Sequence, residues 1–244
     1  MGSTIFMLGG NSSVWKIQHN ILHHTYTNIH GMDEDIGTKV VIRLSDKAPL
    51  HRYHRFQHIY VFFLYSLMTL LLMTNDFIKL LNYYRKGILK QPQASFNREY
   101  TQLVLLKVVY IFFMLVLPML VTPMLWWQVV IGFFVVHFTT GFILSVIFQM
   151  AHIVEGAHQP MPNDEGSIEN AWAIHQLQTT ANFSPKNRFL NWFIGGLNYQ
   201  VEHHLFPNIC HVHYRKISKI VQETAREFNL EYNVEPTFRS AIGS

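Results

Sequence analysis

A single cysteine, Cys210, in a chain of 244 residues excludes an intramolecular disulfide framework and a thiolate-rich metal site. Charge is scarce as well: Asp, Glu, Lys and Arg make up 14% of the chain, and from Val108 to Val154 none of the four occurs. An uncharged run of that length is too long for one element of a soluble core, and at about 20 apolar residues per crossing it accommodates two membrane spans. The excess of basic over acidic residues is only +4, which fits membrane topology and anionic headgroups and gives no sign of nucleic-acid binding. Internal repeats and low-complexity linkers are absent, and Met1–Gly10 lacks the basic start of a signal peptide.

Histidine, by contrast, is abundant, with 15 copies, and two groups of them bracket the uncharged run. The first is His19-Asn-Ile-Leu-His23-His24 and the second Gln200-Val-Glu-His203-His204. At 100° per residue His19 and His23 share one helix face with His24 beside it, while Gln200, His203 and His204 form a second compact face. Imidazole suits iron, zinc, copper and nickel, whereas magnesium and calcium require oxygen donors. A structural zinc site closes with four ligands, and two clusters supply more than four, so the pattern suggests two ions. The competing reading is two ordinary surface or core histidine pairs; their placement around a membrane hairpin argues for function.

The expected fold is all-α: an integral membrane protein with a transmembrane hairpin and a cytoplasmic helical cap. Spans are expected at about 102–122 and 128–151, with Pro123 breaking the helix and Trp126 and Trp127 at headgroup level. Lys and Arg crowd both flanks of the hairpin and are missing from its turn, so both histidine clusters are expected on the cytoplasmic side. The apolar stretch Ile59–Thr74 is short for a crossing, and a third span would put the clusters on opposite sides. Residues 56–81 are therefore expected to form a straight or bent helix in the interface. Lys86–Arg98, with Pro92, is the expected exposed connection. A cytoplasmic cap covers about 152–228, including an amphipathic helix with Ile217, Ile220, Val221 and Phe228; the tail 229–244 shows no period and is expected to be loose.

With these two boxes either side of a hairpin, the chain closely resembles the membrane fatty acid desaturases over roughly residues 13–228. Val14-Trp-Lys-Ile-Gln-His19-Asn-Ile-Leu-His23-His24-Thr-Tyr-Thr-Asn resembles their second box, H-x-x-x-H-H. Gly195-Gly-Leu-Asn-Tyr-Gln200-Val-Glu-His203-His204-Leu-Phe-Pro207 resembles their third box in its Q-x-x-H-H form, typical of the front-end (delta-5/delta-6) branch. The resemblance implies two non-haem iron ions that activate O2 and introduce a double bond into a fatty acyl chain carried on a lipid or thioester. Carried over residue by residue, His19, His23, His24, His203 and His204 would be ligands, Gln200 a weak ligand or hydrogen-bond partner, and His152 the additional histidine of the family's last span. Glu202 or Asn198 is a candidate partner for the second nitrogen of a ligand. Electrons would come from a separate protein, cytochrome b-type or ferredoxin-type. Family members also carry a first box ahead of the second. Met1–Ser13 contains no histidine, so the chain is expected to be an N-terminally truncated form, inactive on its own.

Other histidines have plainer expectations. His51, His54 and His58 are expected on a basic surface helix, and His137 as a hydrogen-bonded bundle residue. His175 is a weaker candidate for approaching the site. His30 and Asp33-Glu34-Asp35 read as a solvated loop, with a structural salt bridge as the alternative. His211 and His213 read as surface positions. Two functional alternatives remain open: an acyl-chain hydroxylase on the same scaffold, and a non-catalytic histidine-rich membrane protein.

Overall fold

The computed structural model describes residues 2–37, 41–88 and 93–243. Part of the connection expected at Lys86–Arg98 lies outside the described residues. The chain is mostly helical and divides into two compact units, Met1–Ile21 with His58–Ser145, and Leu22–Gln57 with Val146–Ser244.

The first unit contains the long apolar helices. A short helix, α1 (Ser12–Trp15), starts where the Asn11 side chain accepts from the backbone N–H groups of Ser13 and Val14, satisfying two donors that a helix start leaves open. It runs on into a π-helical stretch, Lys16–His23. Next come α2 (Arg52–Ser66) and α3 (Met68–Arg85), which meet at a bend of 68°. Opposite the bend, Gly141 lies so close to the Ser66 carbonyl that a Cβ there would meet it at 2.5 Å, and Ser145 donates to the Tyr65 carbonyl at 3.1 Å. A glycine and a hydroxyl thus let two backbones approach and satisfy a carbonyl that the bend leaves open.

Among the described residues two helices are long and apolar enough to cross a membrane, α4 (Ser95–Val121) and α5 (Trp126–His152), each of 27 residues. At 1.5 Å per residue each reaches about 40 Å, more than the roughly 30 Å hydrocarbon layer. The bent pair α2 and α3 would count as a third crossing only if taken as one span. Both apolar helices extend past the expected limits, because the charge-free run sets where apolar burial stops and not where backbone hydrogen bonding stops. In α4 a π-helical stretch, Phe112–Val116, precedes Pro118, where the wider turn relieves the clash of the proline ring with the preceding carbonyls.

Two polar clusters inside this unit are paired. Lys107 donates to Asp76 at 2.6 Å and also to the Gly9 carbonyl, while Asp76 accepts from the backbone of Asn11 at 2.7 Å. His137 is bonded at both ring nitrogens, to Tyr110 and to Thr69, each at 2.9 Å. His137 is thus the hydrogen-bonded bundle residue that its place on the apolar helix predicts.

The second unit is built from short helices: α6 (Trp172–Thr179), α7 (Arg188–Phe193), α8 (Gln200–Leu205), α9 (Tyr214–Glu227) and α10 (Phe238–Gly243). Leu177, Val201 and Val221 form its apolar centre, with Ile217, Leu230 and Tyr232 packed on it. The C-terminal stretch, expected to be loose, is tied down. Strand β2 (Val234–Glu235) pairs in parallel with β1 (Asn182–Phe183), and the Tyr232 hydroxyl donates to Glu202 at 2.8 Å. A two-residue strand has no periodicity to detect, which is why the pairing escapes a reading of the sequence.

Candidate metal centre

The last helical span, the second-box segment and α8 deliver histidines to one place in the second unit. His23, His152 and His204 offer ligand atoms that lie within 4.8 Å of one another, and all three are buried. Their ring centroids are 4.7 to 5.0 Å apart. His24 stacks on His204 at 4.3 Å and faces His203 edge-on at 4.8 Å, so a second pair of imidazoles adjoins the first group.

What makes this arrangement more than a packed cluster is how the nitrogens are used. His204 Nδ1 donates to the side-chain oxygen of Gln176 at 2.9 Å, while its Nε2 is buried without a hydrogen-bond partner. His152 likewise has a buried Nδ1 with no partner. His23 Nδ1 donates to the Asp33 carboxylate at 3.0 Å, with Asp35 at 3.4 Å, which leaves Nε2 as its lone-pair atom. An unsatisfied buried nitrogen costs free energy comparable to a lost hydrogen bond. Two such nitrogens, on His152 and His204, beside a His23 ring oriented through its Nδ1, make a donor set that a transition metal fits.

Asp33 is itself pinned, accepting from the backbone of Asn28 at 2.8 Å and of Asp35 at 2.9 Å. Thr27 donates to the His23 carbonyl and to Gln176, and its carbonyl accepts from His175 at 2.9 Å. Asn28, in a left-handed conformation at φ 58°, donates to the carbonyls of His152 and Thr179. Thr27 and Asn28 therefore connect all three histidine-bearing segments. His175 belongs to this frame and is in none of the metal-competent groups among the described residues.

Electrostatics favour neutral imidazoles. Burial, reinforced by the neighbouring rings, depresses His24 to about 3, and burial together with His23 depresses His203 to about 4. His204 is held well below the ordinary histidine value by burial and by the histidines around it. His23 is the exception. Burial opposes its charge, but the Asp35 and Asp33 carboxylates outweigh that and raise its pKa. A metal cation in the cluster would face a carboxylate behind one ligand and uncharged rings elsewhere.

The remaining predicted residues are placed as follows. His19 lies in the first unit, buried and stacked on Trp15 at 4.6 Å. Gln200 is buried as the first residue of α8. Glu202 and Asn198, the expected partners of ligand nitrogens, instead hold the scaffold: Glu202 accepts from Asn182 and Tyr232, and Asn198 bonds Asn191 and the Ser184 carbonyl. The partner roles fall to Asp33, Gln176 and Tyr214, whose hydroxyl lies 3.4 Å from His203 Nδ1. Asp33 is correspondingly buried and not part of a solvated loop. A weak signal was present in its sequence: three acids ten residues after a histidine pair have the reach of a turn back onto it.

The fatty acid desaturase family profile matches residues 1–236. The chain is 38% identical to an sn-1 linoleoyl-lipid 6-desaturase of Synechocystis sp. and 37% identical to one of Arthrospira platensis, in each case over 100% of its own length. It is 36% identical, over 99% of its length, to an acyl-lipid (8-3)-desaturase of Physcomitrium patens. It spans 68%, 65% and 50% of the length of these three relatives. No solved structure matches it. With a family profile covering nearly the whole chain and full-length similarity to such relatives, this chain belongs to the fatty acid desaturase family.

Proposed function

We propose that this chain forms the metal-binding part of a membrane acyl-lipid desaturase of the front-end type, with His23, His152 and His204 holding one iron and His24 and His203 contributing to a second. The box pattern adds His19 and Gln200 to this set. The observation that carries the reading is the pair of buried, partnerless nitrogens, His204 Nε2 and His152 Nδ1, within ligand distance of His23. Two non-haem irons would supply, when bound, the reduction of O2 to two waters, with two hydrogens taken from adjacent acyl methylenes, two electrons from a donor protein and two protons from solvent.

The protein's own residues do the positioning. Asp33 and Gln176 fix the tautomer and rotation of His23 and His204, so both rings are held in orientation without reorganisation. Burial of the cluster keeps water away from a strong oxidant and holds His24, His203 and His204 neutral at physiological pH. α4 and α5 are long and apolar enough to cross a bilayer, and the basic flanks of the hairpin support a reading with the histidines on the cytoplasmic side, next to the acyl substrate. The substrate class, a fatty acyl group on a lipid, follows the acyl-lipid desaturases that the chain is similar to.

The test is elemental analysis of the purified full chain, paired with the fatty acid profile of the membranes that express it. Iron that co-purifies and is lost in His204→Ala supports the centre, and a new double bond near the carboxyl end supports the activity. Zinc in place of iron, or iron unaffected by His204→Ala, would overturn the assignment.

A further inference from the structure

In the second unit α7 has its polarity reversed. Asn187 faces its own helix, its side chain accepting from the Leu190 backbone, and Asn191 is turned inward to donate to Asn198 at 2.9 Å. The large apolar side chains point out: Phe189 is 71% exposed, Trp192 75% and Phe193 57%. Their rings contact one another, with Phe189 and Phe193 stacked at 6.1 Å and Trp192 beside them. Exposed single apolar residues are ordinary, but three adjoining aromatic rings on one short helix form a patch that calls for a covering phase.

The surrounding charge says which phase. From Ser184 to Val201 the chain has no acidic residue, and its two charges, Lys186 and Arg188, are both basic and exposed at the start of α7. Tryptophan and phenylalanine flanked by lysine and arginine is the composition of a segment seated at the boundary between acyl chains and anionic headgroups. The platform is rigid. Gly195 and Gly196 take left-handed conformations that turn the chain back, Gly196 donates to the Asn191 carbonyl at 2.8 Å, and the Tyr199 hydroxyl donates to Pro185. A Cβ on Gly196 would meet His211 at 2.8 Å, so the turn is closely packed. Asn198 is followed by Tyr199 and then by α8, the helix of the second histidine cluster.

We propose that α7 is a membrane anchor, inserting Phe189, Trp192 and Phe193 into the lipid interface with Lys186 and Arg188 at anionic headgroups, and so fixing the third-box helix relative to the bilayer. The inference rests on the chain being embedded in a membrane through α4 and α5, and not on the identity of the metal.

The lone cysteine, exposed Cys210, makes the test direct. In a Cys210→Ser background the full chain carries one spin label at a time, introduced by Phe189→Cys, Phe193→Cys, Glu223→Cys on exposed α9, or Val136→Cys on the outer face of α5. Each is reconstituted in vesicles of phosphatidylcholine with or without phosphatidylglycerol. Labels at 189 and 193 are expected to be broadened more by O2 than by a water-soluble nickel chelate, as at 136, with the order reversed at 223. Lys186→Gln with Arg188→Gln is expected to make the 189 label shallower only in the vesicles containing phosphatidylglycerol. Water exposure at 189 and 193, with 136 in lipid, would overturn the anchor and leave the face to a protein partner. Water exposure at 136 as well would remove the membrane embedding on which the anchor rests. Immersion unaffected by the charge change would overturn the headgroup contact.

Discussion

His137 and His204 are both buried histidines, yet their ring nitrogens are used differently. Both nitrogens of His137 are bonded, to Tyr110 and to Thr69, and nothing is left for a ligand. His204 has one nitrogen fixed by Gln176 and the other buried without a partner, beside two more rings arranged to converge with it. Burial alone therefore does not distinguish the two, and neither does a partnerless nitrogen alone, since His30 and His211 each bury one outside any converging group; His204 combines such a nitrogen with neighbouring rings within ligand distance. The same contrast separates the Asp76–Lys107 pair, which ties the start of α1 into the first unit, from Asp33, which orients a ring whose other nitrogen is directed at its neighbours.

The contrast can be broken in several ways. His204→Ala removes a converging lone pair and is expected to lower iron affinity by more than the roughly 100-fold that bounds loss of an outer partner, read as iron per chain after dialysis. Asp33→Asn keeps the shape but weakens the fixing of His23, and a 10- to 100-fold loss of metal affinity is expected by competition with a chelator. His137→Phe leaves the Tyr110 hydroxyl without its partner and removes the ring donor to Thr69, whose hydroxyl keeps the carbonyl of residue 137. A loss of about 1–3 kcal/mol in stability is expected on thermal unfolding in detergent, with iron content unchanged.

Acid should act most gently and in one direction. His24 and His203, at about 3 and about 4 in the folded chain against 6.5 unfolded, resist protonation when folded. Their contribution to the metal-free chain is present above pH 6.5 and is lost as pH falls from there toward 3. The raised pKa values of His23, where two carboxylates outweigh burial, and of Glu202, raised by burial, work in the opposite sense, against His24, His203 and His204, all shifted down. Near-ultraviolet circular dichroism during acidification would follow it, and a metal-free chain whose second unit gains stability on acidification would contradict the reading.

How much of this could be read from the sequence depended on range. The hairpin and both histidine clusters are written in local patterns, a charge-free run and spacings of three, four and one, so they are legible without a structure. The residues that turn the clusters into a site are not. Thr27 meets Gln176 across 149 positions and His204 across 177, and no local periodicity records such a pairing. Asn182, Glu202 and Tyr232, which lock α8, come from three separate segments of the chain, one of them in the stretch expected to be loose. Glu202 lies beside the ligand pair in sequence but, on a helix, its side chain projects away from theirs, which is why it serves the scaffold and not a ring nitrogen.

The most direct measurement is X-ray absorption at the iron edge on the purified full chain, compared with His204→Ala and His137→Phe. If the three converging imidazoles hold the metal, the spectrum of the unsubstituted chain shows nitrogen neighbours with imidazole outer-shell scattering, His137→Phe reproduces it, and His204→Ala loses it. Iron absent from the unsubstituted chain, or an imidazole signal that survives His204→Ala and disappears with His137→Phe, would contradict it.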